Sequence, residues 1–380
     1  MAVFLISVAF CAYTLFGYPL FLALLARVRE RPVNKAPWHG TVSIILPVHN
    51  GERFIAAKLD SIRALEYPQR LLQLIVVLDG ATAPTREILR EAVGLPSTIV
   101  LDLPHGGKAT ALNAAIQRAT GEVLFFTDVR QELDPASLRN LVECFADPQV
   151  GVASGELVIR DAATHEEASV GMYWKYEKWI RKQLSRLDSV PGATGCIYAM
   201  RRSLAGPLPA ETLNDDMYLP LRAFFRGYRV VFEDSALAFD YPTGLPSEFQ
   251  RKVRTLAGVY QIVRMYPALL GPRNRIWIHF FSHKLARLLM PWALLAVAAA
   301  AYELPYPWNW VTEAVQLSCY ALAWLDTQLP LGFPLKRLTA PLRTFVVMMA
   351  ASACALAILF VPARTLWKET NVSRHAGAQG

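Results

Sequence analysis

The sequence predicts an α/β domain built on a parallel β-sheet and flanked at both ends by transmembrane helices. Short apolar runs alternate with helical stretches from residue 38 to about residue 146, and this pattern is typical of a parallel sheet covered on both faces. Residues 1–26 carry no charged side chain, and the C-terminal third is again strongly apolar. A chain of 380 residues is long enough to hold both parts.

Four apolar runs are the predicted strands, and together they indicate a Rossmann-like unit: residues 42–46, 74–78, 97–101 and 123–126. Residues 52–65 and 137–145 are predicted helices. The periodicity changes between residues 151 and 240, where residues 173–181 form an amphipathic helix rich in aromatic and cationic side chains. Such a stripe is typical of core or interfacial packing, and it is also compatible with the border of an acceptor channel.

Residues 1–26 are predicted to be a retained membrane anchor. About 20 apolar residues span a bilayer, and this run is too long for the apolar region of a signal peptide. The cations that follow it place this end of the span in the cytoplasm: Arg27, Arg29, Arg31 and Lys35.

Residues 275–363 are predicted to form a C-terminal membrane region with about three apolar segments, and residues 364–380 a basic tail. The three segments are residues 288–302, 308–325 and 344–363, of which the middle one contains Glu313. With three spans the tail lies outside, and without the middle one it lies inside. Each arrangement exposes three cations, so the positive-inside rule leaves both open.

The formal charge of +8 indicates an anionic membrane surface as a partner rather than nucleic acid, because much of the basic excess flanks the apolar segments. The five cysteines have neither paired nor metal-binding spacing, and three of them lie in apolar segments. We therefore expect neither disulfides nor a zinc site.

A Gly-Lys turn followed by a strand that ends on an aspartate predicts a site for a diphosphate-bearing ligand. Gly106 and Gly107 permit close approach of the backbone, Lys108 offers a positive charge, and the helix that starts there adds its dipole. Asp128 follows the strand at its carboxyl end, where open α/β sheets bind ligands.

Further polar segments follow the other strands or lie in the middle region, and the ordered set is more specific than any single member. Residues 47–52 follow the first strand, Asp79 ends the second, and Asp215 and Asp216 lie in the middle region. Taken singly, Asp79-Gly80 is an ordinary turn and His49 a structural histidine. The acidic pair could also cap the helix that follows it.

This ordered set resembles the family 2 glycosyltransferases, which are inverting enzymes with a GT-A fold. The resemblance covers roughly residues 42–260 and includes membrane segments on both sides, as in the polysaccharide-synthase branch of hyaluronan, cellulose and poly-N-acetylglucosamine synthases. It implies an integral protein of a bacterial-type inner membrane, with residues 38–260 as a cytoplasmic GT-A domain.

The resemblance also implies roles for individual residues. Asp216 is implied to be the catalytic base, with Asp215 beside it. The nucleotide-sugar donor would be bound by Pro47, His49, Asn50, Glu52, Asp79, Lys108, Asp128 and Arg130. The acceptor or diphosphate region would comprise Gly195, Arg201, Gln250, Arg251 and Arg254.

Two positions depart from the family pattern. The second aspartate of the Asp-x-Asp metal motif is Arg130. A divalent cation, Mg²⁺ or Mn²⁺, would then be held by Asp128 and the substrate phosphates, or Arg130 would itself supply positive charge. The Gln-x-x-Arg-Trp motif of the processive branch matches residues 250–254 but lacks its tryptophan, so a long product chain is not implied.

The predicted function is transfer of a sugar from a nucleotide-sugar, with UDP as the expected nucleotide, to a lipid-linked or growing polysaccharide acceptor. The expected partners are the donor, a lipid or glycan acceptor and membrane lipids, without nucleic acid. One alternative is single-sugar transfer to polyprenyl phosphate or diacylglycerol. Another is a non-catalytic nucleotide-sugar-binding scaffold among export-complex proteins. A transporter would need polar residues buried in several spans, and Glu313 and Asp326 are the two that qualify.

Overall fold

The structure, a computed structural model, describes residues 1–92, 97–160, 172–241, 245–272, 274–330 and 333–366. The chain divides into two compact units. The sheet unit contains Arg29–Ala168 and Arg181–Pro242. The membrane unit contains Met1–Val28, Ser169–Ile180 and Thr243–Gly380, so it takes in two segments of the predicted 38–260 domain.

The described strands of the sheet unit form one mixed sheet in the order β3-β2-β1-β4-β7-β6-β8-β5. Their bounds are β1 Val42–Val48, β2 Leu72–Asp79, β3 Thr98–Leu103, β4 Val123–Thr127, β5 Glu132–Leu133, β6 Val150–Ile159, β7 Ile197–Arg201 and β8 Arg229–Asp240. The helices of this unit are α3 Ile55–Arg63, α4 Ala83–Ala92, α5 Lys108–Arg118, α6 Ser137–Val142 and α8 Asp215–Phe224, and α7 Met172–Leu187 belongs to both units.

The four predicted strands are confirmed as the parallel half of this sheet. β1 pairs in parallel with β2 and β4, and β2 pairs in parallel with β3. Every residue of β2 and β4 is buried, as expected for central strands covered on both faces. The carboxyl ends of β1, β2 and β4 therefore meet at one edge, where polar residues follow each strand.

The other half of the sheet begins with a reversal of direction at β7. This strand is antiparallel to both β4 and β6. Its register sets Ile197 opposite Thr127 and Arg201 opposite Val123. The segment that precedes β7 is thus brought to the carboxyl end of β4, whereas Arg201 lies at the opposite end of the sheet.

The described helices of the membrane unit are α1 Ala2–Ala12, α2 Tyr18–Val28, α9 Leu245–Met265, α10 Trp277–Phe280, α11 Ala286–Ala301, α12 Trp308–Leu325 and α13 Lys336–Ala355. Three helical segments of the described chain are long and apolar enough to cross a membrane: Ala2–Val28, Trp277–Ala301 and Lys336–Leu359. The helix of the middle predicted segment, α12, is not in this set. The predicted basic tail lies almost entirely outside the described residues.

Polar contacts within the membrane unit define how its helices run. Tyr13 bonds with Ser282 at 2.7 Å, and the amino group of Met1 pairs with Glu303, so α1 and α11 are antiparallel. The hydroxyl of Ser352, near the end of α13, donates to the carbonyl of Arg287, near the start of α11, at 3.1 Å. That contact makes α13 antiparallel to α11 as well.

The predicted aromatic and cationic helix forms the first part of α7, where it packs within the membrane unit. Arg287 donates to the hydroxyl of Tyr173 at 2.8 Å and to the carboxylate of Glu177 at 2.7 Å. The ammonium of Lys252 lies 5.3 Å from the centre of the Tyr173 ring. Burial raises the pKa of Glu177, but Arg287 and its neighbouring cations outweigh it and hold this pKa well below its usual range.

Candidate active site

An ion bridge formed by Lys108 lies at the centre of the site. Lys108 Nζ is 3.0 Å from Asp128 Oδ1 and 3.2 Å from Asp215 Oδ2. Burial would lower the pKa of Lys108, but the two carboxylates outweigh it and raise that pKa above its usual range. The ammonium therefore stays charged between two acids that come from different parts of the chain.

Local backbone structure brings these three side chains together. Lys108 is the first residue of α5 and follows Gly107, whose φ of 83° is a conformation that suits glycine. Asp128 directly follows β4, and Asp215 is the first residue of α8. The predicted diphosphate turn and strand-end aspartate are therefore adjacent in the structure, and the acidic pair lies with them.

The two aspartates of α8 have different surroundings. Asp215 is buried, and this burial raises its pKa, although Lys108 opposes the shift. Asp216 is partly exposed. The capping alternative is not supported, because the N-cap of α8 is Asn214 and its side chain makes no capping hydrogen bond. Asp216 is thus the more exposed member of the pair.

The glycine segment before β7 lies directly against Asp216. The amide of Ala193 donates to the Asp216 carbonyl at 2.7 Å. A Cβ atom added to Gly195 would lie 3.1 Å from Asp216 Oδ2, so this glycine leaves room beside the carboxylate. The neighbouring Thr194 is held by Ser154, whose hydroxyl accepts from the Thr194 amide at 2.8 Å.

Asp79 organises the loop that leads to Lys108. Its carboxylate accepts hydrogen bonds from the amides of Gly106 at 2.6 Å and Gly107 at 3.0 Å, and His105 Nδ1 lies 3.2 Å from it. His49 donates from Nδ1 to the Asp79 carbonyl at 2.6 Å. The ligand atoms of His49, Asp79 and His105 lie within 4.8 Å of one another, so this group could also hold a metal ion.

The remaining predicted residues of the first motif form the turn after β1. Pro47 lies within β1, and Asn50 has a φ of 48°. The carboxylate of Glu52 accepts from the hydroxyls of Thr82 at 3.3 Å and Thr85 at 2.9 Å. These contacts tie the turn after β1 to the segment after β2, at the edge where Asp79 and Asp128 also lie.

Arg130 is held by an acid that the sequence did not indicate. It forms an ion pair with Asp240, the last residue of β8, which is 3% exposed. The side-chain amide of Gln131 donates to the same carboxylate at 2.8 Å. The arginine at the second Asp-x-Asp position therefore contributes to holding its own loop.

Of the two predicted acceptor residues in the sheet unit, Gly195 lies beside the acidic pair and Arg201 does not. Arg201 is at the opposite end of the sheet, where its guanidinium donates to the carbonyls of Val150 at 2.8 Å and Phe145 at 2.8 Å. The structure thus gives Arg201 an anchoring position, because antiparallel β7 carries it away from Asp128. Gln250, Arg251 and Arg254 lie on α9, where Arg251 pairs with Glu248.

Two further buried side chains near the site were not identified from the sequence. Tyr198 on β7 is fully buried, and its hydroxyl has no hydrogen-bond partner among the described residues. Burial and the three carboxylates of Asp215, Asp216 and Asp128 raise the pKa of Tyr198 well above its usual range. Lys58 on α3 is also fully buried. The local sequence pattern does not indicate that Tyr198 or Lys58 is buried, because their burial follows from strand pairing and helix packing.

The residues of this cluster fit a divalent cation through one carboxylate of the Asp-x-Asp motif. Asp128 is 36% exposed and offers a hard carboxylate oxygen, and Mg²⁺ is commonly bound by one or two carboxylates together with substrate phosphates. The second motif carboxylate is replaced by Arg130. Asp128 would therefore be the protein ligand, with the other ligands supplied by a phosphorylated substrate and water.

The chain is similar in sequence to known glycosyltransferases. The model of the glycosyl transferase family 2 matches residues 43–206, and that of the glycosyl transferase family group 2 matches residues 130–362. A probable glycosyltransferase, YdaM of Bacillus subtilis, is 25% identical over 213 residues, which are 52% of this chain and half of that protein's length. The poly-beta-1,6-N-acetyl-D-glucosamine synthase of Staphylococcus epidermidis is 23% identical over 295 residues, 70% of each chain.

A solved structure has the same fold. The mannosyltransferase PcManGT from Pyrobaculum calidifontis, in complex with GDP-Man and Mn²⁺, superposes with a TM-score of 0.74, 23% identity and coverage of 94% of this chain and 99% of that one. The fold is therefore GT-A. The chain belongs to the family 2 glycosyltransferases, and the predicted family, fold and enzyme class are confirmed.

Replacing Arg130 by methionine should destabilise the sheet unit. Arg130→Met leaves the buried Asp240 carboxylate without its ion-pair partner, which costs about 3 kcal/mol. The melting temperature of the purified protein should fall by several degrees. The matched control is Arg139→Met, because Arg139 and Glu66 are each 49% exposed and such pairs contribute about 0–1 kcal/mol. Equal melting temperatures for the two variants would contradict this assignment.

Proposed function

We propose that the enzyme transfers a sugar from a UDP-sugar to the hydroxyl of a lipid-linked or growing glycan acceptor, with inversion at the anomeric carbon. The observation that carries this proposal is the Lys108 bridge, which gathers Asp128 and Asp215 next to the accessible Asp216. Binding of a nucleoside diphosphate requires positive charge, and an inverting transfer requires one general base. Both requirements can be met within this cluster.

The donor diphosphate would bind at the Gly-Lys turn. The amides and dipole at the N-terminus of α5 favour an anion, and Lys108 adds a full positive charge. Lys108 would balance the charge that grows on the leaving diphosphate. Asp128 would hold a divalent cation, which would supply further positive charge there. The nucleoside would lie towards Asp79, whose carboxylate holds Gly106 and Gly107.

Asp216 would act as the general base. The acceptor oxygen forms a bond to the anomeric carbon while the bond from that carbon to the diphosphate oxygen breaks, and the hydroxyl proton passes to the Asp216 carboxylate. Asp216 is better suited than Asp215, because Asp215 is buried and paired with Lys108. A larger residue at position 195 would crowd the Asp216 carboxylate, since a Cβ there would lie 3.1 Å from Oδ2.

Replacing Asp216 by asparagine should abolish turnover while donor binding is retained. The amide cannot accept the acceptor proton, so UDP release in the presence of membrane lipid should fall by about 100-fold or more. UDP release across a panel of UDP-sugars measures turnover, and calorimetric titration of the donor measures binding. The control is Asp60→Asn, because Asp60 is an exposed residue of α3 that pairs with Arg63. Unchanged turnover in Asp216→Asn would refute the base assignment.

Turnover should also require a divalent cation. We expect a chelator to lower UDP release by about tenfold or more, since the cation neutralises the leaving diphosphate, and added Mg²⁺ or Mn²⁺ to restore it. Full activity under complete chelation would show that Lys108 and Arg130 supply the positive charge without a metal.

We further propose that the catalytic unit and the C-terminal tail both lie in the cytoplasm. The four cations after the first span favour the cytoplasmic side there. α11 then runs outwards, and the contact of Ser352 with the start of α11 supports an inward path for α13. The end of α11 and the start of α13 are then on the outer side, so α12 begins and ends there without crossing.

Reporter fusions test this topology. A fluorescent protein fused to the C-terminus should fluoresce, and alkaline phosphatase fused there should be inactive. Phosphatase inserted after Leu304 should be active, because the loop after α11 faces outwards, and phosphatase inserted after Lys35 should be inactive as the internal control. An active C-terminal phosphatase fusion would mean that α12 crosses the membrane.

Single-sugar transfer to a polyprenyl phosphate or diacylglycerol is the second candidate. It is favoured by the small number of spans found in the described chain and by the missing tryptophan after Arg254. The length distribution of the products distinguishes the two candidates. A single added sugar supports transfer to the lipid, and a ladder of lengths supports polymerisation.

A further inference from the structure

Lys58 is a buried lysine that the reaction described above does not use. It lies on α3 with no exposed surface. Its ammonium makes two hydrogen bonds within the described chain, to Thr127 Oγ1 at 2.5 Å and to the Gln131 carbonyl at 2.6 Å. Both acceptors are uncharged, so this lysine is not one half of a buried ion pair.

The two acceptors of Lys58 bracket the loop that carries the donor-binding residues. Thr127 immediately precedes Asp128, and Gln131 immediately follows Arg130. The hydroxyl of Thr127, which accepts from Lys58, also donates to the carbonyl of Cys196 at 3.0 Å. Cys196 follows Gly195, so a single side chain connects the Asp128 loop with the glycine segment beside the acidic pair.

Asp240 holds the same loop from another direction. Its carboxylate forms an ion pair with the guanidinium of Arg130 and accepts a hydrogen bond from the side-chain amide of Gln131. Residues 127–131 are therefore held at both ends by the buried Lys58 and through the side chains of Arg130 and Gln131 by the buried Asp240. Asp128, between these contacts, can keep its carboxylate within 3.0 Å of Lys108.

Packing alone does not account for a lysine at this position. Burial lowers the pKa of Lys58 to about 7, which reflects the free energy lost when an ammonium leaves water. An apolar side chain of similar length would fill the same volume without that loss. What the apolar side chain could not provide is the pair of hydrogen bonds to the ends of the loop.

We propose that Lys58 is a positioning residue for the donor, which holds residues 127–131 so that Asp128 faces Lys108 and the bound diphosphate. The inference rests on the proposed function, because it is that function which gives Asp128 its part in donor binding. Lys58 acts through Asp128 and does not itself touch the substrate.

Replacing Lys58 by methionine tests this role. Lys58→Met keeps the length of the side chain and removes both hydrogen bonds. We expect the KM for the UDP-sugar to rise by about 10–100-fold, the loss typical of residues that support a ligand-binding group. The KM for the acceptor should stay within about threefold of the native value. A structural defect alone would lower the amount of active enzyme and leave both KM values unchanged.

Gln73→Met is the matched control. Gln73 is also buried, and its side chain accepts from Ser43 and from Thr120 at the amino end of the same sheet. This variant should lose thermal stability as Lys58→Met does, yet keep the native KM for the donor. Thr127→Val removes one of the two Lys58 contacts, together with the hydrogen bond to the Cys196 carbonyl, at nearly constant volume. The Lys58 contact with Gln131 remains, so the donor KM should rise by a smaller factor.

The outcomes separate the inference from the proposed function. If the native enzyme releases UDP and both Lys58→Met and Thr127→Val keep the native donor KM, Lys58 has no positioning role and the proposed function stands. If Lys58→Met does not fold, the donor KM of Thr127→Val decides, and an unchanged value overturns the inference. If the native enzyme releases nucleotide from no UDP-sugar, it is the proposed function that fails.

Discussion

The geometry of the site depends on one ammonium group placed between two carboxylates. Asp128 follows β4 and Asp215 begins α8, 87 positions further along the chain, 215 less 128, and both reach the nitrogen of Lys108. Without a cation, two carboxylates facing one partly buried point would repel each other, and one would take up a proton. Lys108 therefore keeps Asp128 and Asp215 close together, and with them the strand end, the helix start and the glycine segment.

The two halves of the sheet make different contributions to this cluster. The parallel half presents the ends of β1, β2 and β4 at one edge, which supplies Asp79 and Asp128 and the start of α5. The mixed half, formed by β5, β6, β7 and β8, returns the chain through antiparallel β7, which brings the segment before it to the carboxyl end of β4. In this segment Gly195 lies against Asp216 of α8. The proposed donor groups thus belong to the parallel half, and the proposed base on α8 lies against the segment that leads into β7.

The parallel half could be predicted from the sequence, because strands that are buried on both faces are continuous apolar runs. β1, β2 and β4 are such runs, and the polar residues after them could be assigned to one edge of the sheet. The mixed half could not be predicted strand by strand. Its pairings join β6 to β8 and β4 to β7 across long stretches of chain. Local periodicity does not indicate which distant strands pair.

The same distinction applies to single residues. Lys108 and Asp128 could be predicted from turn and strand-end positions. Asp215 and Asp216 belong to the middle region, where the family resemblance implies the role of Asp216. Lys58 could not be predicted, because a lysine on a short helix is usually exposed, and only the packing of α3 buries it. Arg201 follows a predicted glycine segment in sequence, but the direction of β7 places it at the far end of the sheet. Tertiary packing buries Lys58, and strand pairing sets the position of Arg201.

The central claim is that Lys108 binds the donor diphosphate, and calorimetric titration with UDP and with uridine tests it most directly. In Lys108→Met the dissociation constant for UDP should rise by about 10–100-fold, since a hydrogen bond to a charged group contributes about 1.5–3 kcal/mol. The constant for uridine should not change. Lys182→Met, at an exposed pair with Asp234, should match the native enzyme for both ligands. Unchanged UDP binding in Lys108→Met, or an equal loss for uridine, would contradict the account.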